Sequence, residues 1–214
     1  MRPLIFFGPL ALLGTLLLAV TPGCSGGGKS AEGDAPVAIP AGGKAGSASS
    51  KPRSLIVDAA NAYRAGDPDK ARQTALRYAD HALEGVEGEK KLEYKLMHLQ
   101  QVAFAADIVA QFEKELAKSN AKPSVDSSRK VVTAFLAKVD HGKKLVADQV
   151  ATVTLAESER SYLTMIDKYH ASAVKNWILM HPREERGELY QSHRKLLESQ
   201  GIRATDVVNA LGAQ

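Results

Sequence analysis

Between residues 88 and 119 the apolar side chains fall three or four positions apart: Leu92, Leu96, Leu99, Ala103, Ala106, Val109, Phe112 and Leu116. An α-helix turns once in 3.6 residues, so this spacing gathers all eight on one side of one helix. A helix of about 30 residues is about 45 Å long, and its apolar side must be covered by other helices. No clear strand alternation occurs elsewhere. The expected fold class is all-α, an elongated multi-helix bundle of five to six helices.

The other helices follow from the same periodicity and its punctuation. Residues 53–65 place Leu55, Ile56, Ala59, Ala60 and Tyr63 on one side, and Gly66-Asp67-Pro68 ends the run. Asp67 suits a helix N-cap and Pro68 the first helical position of 68–85. There Ala71, Ala75, Tyr78, Ala82 and Leu83 point inward, and Gly85 and Gly88 bracket the end. A fourth helix is expected to start after Ser124 or Asp126, carry Val131, Val132, Phe135, Leu136 and Val139, and stop at His141-Gly142. A long helical stretch then covers 143–180, with a break or kink expected in the β-branched run Val150–Thr154. Helices are expected over 183–200, closed by Gly201 and Ile202, and over 205–211 behind a Thr205 cap.

The amino terminus has a different character. Residues 4–20 carry no charge, follow the single cation Arg2, and end at Thr21-Pro22-Gly23-Cys24. A positive start, an apolar run and small residues describe a secretory signal. Gly23-Cys24-Ser25 resembles the cleavage site of bacterial lipoproteins, in which a small residue precedes a cysteine that becomes lipidated. At three and two positions before the cysteine, where that family usually has Leu and Ala or Ser, this chain has Thr21 and Pro22. The resemblance implies a signal peptide over 1–23, removal of which leaves Cys24 as an acylated first residue inserted in the bilayer. An uncleaved anchor is the competing reading, because about 17 apolar residues reach the short limit for crossing a membrane. Ordinary signal cleavage is the third, although no good Ala-x-Ala triplet lies nearby. Residues 24–52 are dominated by Gly, Ala, Ser and Pro and lack apolar periodicity, which predicts a disordered tether. The helical domain is then 53–214. The implied location is the bacterial cell envelope, membrane-anchored, with the domain outside the cytoplasm. Ser25 after the cysteine resembles outer-membrane sorting in some lineages, and the choice of membrane stays open.

Residues Ala60-Asn61-Ala62-Tyr63-Arg64-Ala65-Gly66-Asp67-Pro68-Asp69-Lys70-Ala71 resemble the turn of one tetratricopeptide repeat, where small residues and a Tyr pack two helices around a Gly-Asp turn. Ala82-Leu83 falls one helical turn late for that family, and no second copy exists, whereas stacking needs at least about three repeats. An ordinary helical hairpin is expected.

The chemistry that the composition leaves open is narrow. The chain has one cysteine, so the domain has no internal disulfide, thiol metal site or cysteine nucleophile to draw on. A net charge of +4 is mild, and the charges are mixed along the helices. Nucleic-acid binding calls for a clustered basic face, so none is expected. Phosphate-cradling glycine loops, a Gly-x-Ser-x-Gly elbow and a His-Glu-x-x-His helix are all missing from the sequence. Di-iron bundles use two Glu-x-x-His pairs, and none occurs. Asp167 with His170, His81 with Glu84, and His181 with Glu185 have helical spacing that chance supplies in a charged sequence. Haem attached through Cys-x-x-Cys-His is excluded, while non-covalent ligation through Met97, His98 or His193 is conceivable; His193 lies on an apolar side and reads first as a core residue. Glu157, Glu159, Glu184, Glu185 and Glu188 read as solvated, and Tyr162, Tyr169, Trp177 and Tyr190 as packing residues rather than a ligand groove. Cys24, for lipidation, is therefore the one site residue assigned. No catalytic residue, metal or cofactor is expected. The expected role is a membrane-anchored lipoprotein with a non-enzymatic binding or scaffold domain and a protein partner in the envelope. The alternative is a ligand- or metal-binding bundle with a sensory role, which needs three of His81, His98, His170, His181 and His193, or nearby carboxylates, to converge.

Overall fold

The computed structural model describes residues 52–119 and 124–210, with side chains from Leu55 onward. The signal segment, the tether up to residue 51 and Cys24 lie outside the described residues. Six α-helices follow in order: α1 Pro52–Arg64, α2 Pro68–Gly88, α3 Leu92–Lys118, α4 Val125–Thr152, α5 Glu157–Leu179 and α6 Arg183–Ser199. No strand occurs among the described residues. All six helices belong to one compact unit.

Local chemistry sets most of the boundaries. Gly66 adopts φ +77°, and the Asp67 and Gly66 N–H groups return to the Ala62 and Tyr63 carbonyls at 3.0 and 3.1 Å. This closes α1 with the left-handed residue that glycine supplies without steric cost. The Asp67 carboxylate accepts from the Lys70 N–H at 3.1 Å, and Pro68 occupies the first turn of α2. Ser124 caps α4 by accepting from the Ser127 N–H. Gly201, at φ +73°, ends α6 in the same way as Gly66 ends α1, with Ile202 N–H on Leu197 O at 2.9 Å.

α3 is the centre of the bundle. No residue from Lys95 to Lys114 is exposed, and α3 packs on α1, α2, α4 and α5. The apolar stripe legible in the sequence is thus only part of what α3 buries. Ala105 and Ala110, off the stripe, are fully covered as well. Neighbours approach closely where side chains are small. A Cβ on Gly142 of α4 would lie 2.5 Å from the Leu99 side chain, and one on Gly85 of α2 would lie 2.6 Å from the His98 ring.

This close approach corrects the expected end at His141-Gly142. α4 continues through that pair to Thr152. The glycine serves contact between α3 and α4, and packing outweighs its roughly 1 kcal/mol helix penalty. The helical stretch expected over 143–180 is divided accordingly between α4 and α5. The chain breaks at Val153, which is extended, within the β-branched run where a break was expected. α5 then starts with the Ala156 N–H held by the Glu159 carboxylate at 2.7 Å. α2 likewise runs through Gly85 to Gly88. The helix expected over 205–211 is instead a short 3-10 turn, Ala204–Asp206. Its cap is Asp206 accepting from the Arg203 N–H, not Thr205.

Cross-helix pairs fix the directions. Thr133 with Trp177, Asp140 with His170 and Lys143 with Asp167 run in step along antiparallel α4 and α5. α6 packs chiefly on α5. It buries only Arg186, Tyr190 and Leu197, against eleven residues for α3. It is therefore the least embedded of the long helices, and one of the open clefts of the bundle lies between it, α4 and α5.

Candidate functional site

Two buried polar centres stand out, and they differ in how their hydrogen bonds are met. The first is Glu113 of α3, which is fully buried. Arg72 of α2 grips it with two bonds of 2.7 Å, Tyr63 of α1 donates at 2.8 Å and Ser128 of α4 donates at 2.6 Å. A buried carboxylate is costly unless its lone pairs are met, and here four donors from three other helices meet them. Burial and the adjacent Glu113 charge raise the Tyr63 phenol, which stays protonated as the donor. The Glu113 bond raises Arg72 in turn. Phe112 stacks on the Tyr63 ring at 4.7 Å. With every polar atom of this group committed internally, the centre ties α1 through α4 together.

The second is His170 of α5. It is 4% exposed, and neither ring nitrogen has a hydrogen-bond partner. Asp140 Oδ1 lies 3.6 Å from its Nε2. Burial, followed by the Lys143 charge, lowers its pKa from 6.5 to about 4, against the opposing pull of Asp140. The ring lines a cavity of about 450 Å³ between α4, α5 and α6, with Lys143, Asp167, Ser192, His193 and Lys195. Asp167 is held by Lys143 at 2.7 Å, and not by His170, its partner by sequence spacing. Ser192 and Ser199 donate to the Leu189 and Leu196 carbonyls at 2.8 Å. Neither hydroxyl is paired with a histidine as a nucleophile would be. Desolvation lowers His193 too. The cavity is thus lined by two cationic side chains, two histidines, a carboxylate and two serines, with the His170 nitrogens buried in its wall.

Trp177, the one tryptophan of the chain, connects this cavity to the turn beyond α5. Its ring meets His193 edge-on at 5.9 Å and His181 at 4.5 Å, and its indole N–H donates to Thr133 at 3.0 Å. His181 holds the Trp177 carbonyl through Nδ1, not Glu185. Behind it, buried Arg186 donates to the carbonyls of His181, Leu179 and Ala210 at 2.9, 3.2 and 2.7 Å. A cation at the carbonyl end of α5 is favourably placed.

Of the five histidines, three of which, or nearby carboxylates, needed to converge, only His170 and His193 share the cavity, with Asp167 the one carboxylate in its lining. His81 forms an exposed pair with Glu84 at 3.7 Å. His98 sits against Gly85 with its Nδ1 buried and unpartnered. Among the described residues no group of three or more His, Cys, Asp or Glu is placed to hold a metal ion. Glu157, Glu184, Glu185 and Glu188 are exposed, and Glu159 serves as a cap. Tyr190 belongs to the main hydrophobic core, and Tyr162, Tyr169 and Trp177 pack against it partly buried. Glu113 and Arg186 were not singled out from the sequence. Their signal was position: Glu113 stands four residues after Val109 and three before Leu116, on an apolar side.

Among the described residues no helix is long and apolar enough to cross a membrane. The exposed large apolar residues, Val57, Leu76, Tyr94 and Val153, come one from each of four segments, so no single helix presents an exposed apolar stripe. No protein-family model, curated protein or solved structure matches this chain.

Proposed function

We propose that this chain is a bacterial envelope lipoprotein, anchored in a bilayer through acylated Cys24, whose helical domain binds a partner without catalysing a reaction. The observation that carries the anchor is Gly23-Cys24-Ser25 directly behind the uncharged run of residues 4–20. Each buried CH₂ contributes about 0.8 kcal/mol, so one acyl chain holds marginally and several hold firmly. The test is membrane fractionation of the full chain and its Cys24→Ser variant, with the mass of the amino-terminal peptide. A diacylglyceryl mass on Cys24 and release of the variant from membranes are expected. A variant that still sediments with membranes while carrying residues 1–23 means an uncleaved anchor.

A second reading, a ligand-binding bundle with a sensory role, is favoured for the domain by one observation: the buried, unpartnered His170 at a cavity wall. Its site is polar, so a small molecule suits it better than a broad apolar protein face. The expected outcome is that a small-molecule extract of the source cells shifts the His170 and His193 ring signals in nuclear magnetic resonance. Unchanged ring signals contradict this reading and leave the protein-partner form standing.

A further inference from the structure

We infer that the cavity between α4, α5 and α6 binds a small oxyanion, a phosphate or carboxylate group held by His193 and Lys195 beside the buried ring of His170. This rests on the ligand-binding reading of the same cavity and names its ligand class.

The argument is one of which groups remain free to bind. Asp167 and Lys143 are committed to each other at 2.7 Å. Asp140 lies beside His170, 3.6 Å from Nε2, and balances that ring when it takes a proton. Lys195 lines the cavity and has no ion-pair partner among the described residues. His193 meets the edge of Trp177 and feels the Asp140 charge, with no hydrogen bond of its own among the described residues. Ser192 and Ser199 spend their protons on backbone carbonyls and offer lone pairs. The unspent groups that the cavity exposes are thus mainly donors, the Lys195 ammonium and the His193 imidazole, with the His170 nitrogens buried behind them. A ligand that accepts several hydrogen bonds and carries negative charge completes them. One with a hydroxyl as well also meets the serine lone pairs. A divalent metal is the poorer fit, since no third ligand is placed for it.

The charged groups acting on His170 come from every side of the site: Asp140 and Lys143 of α4, Asp167 of α5 and His193 of α6. On α3, Asp107 faces Ser172 and Lys168, which flank His170 on α5. Burial favours the neutral form of both imidazoles. An arriving oxyanion adds to the negative charge of Asp140 beside both rings, so binding takes up protons and strengthens in acid.

The test is calorimetry on the full-length chain in detergent with sodium phosphate, sodium citrate and, as neutral probe, glucose. Saturable oxyanion binding is expected, at least about tenfold tighter at about pH 5.5 than at about pH 7.5. Lys195→Ala and His193→Gln, both at solvent-reachable positions, are each expected to weaken it by about tenfold while circular dichroism shows the helices intact. Binding of phosphate alone assigns a phosphoryl ligand, and of citrate alone a carboxylate. No oxyanion binding at either pH, or undiminished binding in both variants, overturns the inference. Glucose binding alone overturns the oxyanion class and leaves the cavity a ligand site, whereas the ligand-binding reading itself falls on the ring-signal test above.

Discussion

Glu113 and His170 are both buried polar residues on inward faces of neighbouring helices, yet one is saturated and the other is not. Glu113 receives four hydrogen bonds from three helices. His170 receives none, and an open cavity begins at its ring. A saturated buried charge behaves as a joint, because removing one member strands the rest. An unsaturated one forgoes that stabilisation and calls for a separate explanation. The contrast separates the Glu113 joint that ties α1 through α4 from the His170 ring left unmet beside the cavity of α4, α5 and α6.

The largest expected effect is on the joint. Glu113→Leu strands Arg72, Tyr63 and Ser128 and is expected to cost about 3–5 kcal/mol in denaturant unfolding. A cost under about 1 kcal/mol would make the two centres equivalent. Next comes pH. His170 has a lowered pKa in the folded chain, so the unfolded chain takes up its proton first. Its contribution is fully present above the ordinary value of 6.5 and is lost as pH falls toward about 4, on the order of 3 kcal/mol. His181 and His193 shift in the same direction and steepen the loss. A urea midpoint that stays level across this window breaks the comparison.

Smaller effects separate glycines by their surroundings. Gly142→Ala pushes into buried Leu99 and is expected to cost about 1–3 kcal/mol. Gly187→Ala, with nothing within 4 Å of the new atom on α6, is expected to gain up to about 1 kcal/mol. Thermal melts of the two variants check the opposite signs. Smallest of all, His170→Leu strands no hydrogen-bonded partner, and at neutral pH its unfolding free energy is expected to stay within about 1 kcal/mol of the parent.

The helical architecture was legible because it rests on local periodicity and caps. Asp67-Pro68, Ser124, Gly201 and the β-branched break near Val153 act through their own few residues. Gly142 was misleading because a glycine that ends a helix and one that admits a neighbour are the same letter; only the position of Leu99 across the seam tells them apart. The 205–211 segment failed for a related reason, since a capping residue shows where a turn starts and not whether a helix continues. The candidate site was half legible. His193 stood out as a histidine on an apolar side. His170 stands out through its spacing from Asp167, but α4 supplies the neighbours of both: Lys143 pairs with Asp167, and Asp140 lies 3.6 Å from the His170 ring without bonding it. The Glu113 joint needed residues 50 and 41 positions away, a distance across which periodicity carries no information.

The most direct test of the account is the proton titration of the His170 ring, followed by nuclear magnetic resonance in the full chain. The account predicts a midpoint well below 6.5, near 4, that rises when phosphate or citrate is added. A midpoint at the ordinary histidine value in the ligand-free protein, unmoved by either anion, would contradict it.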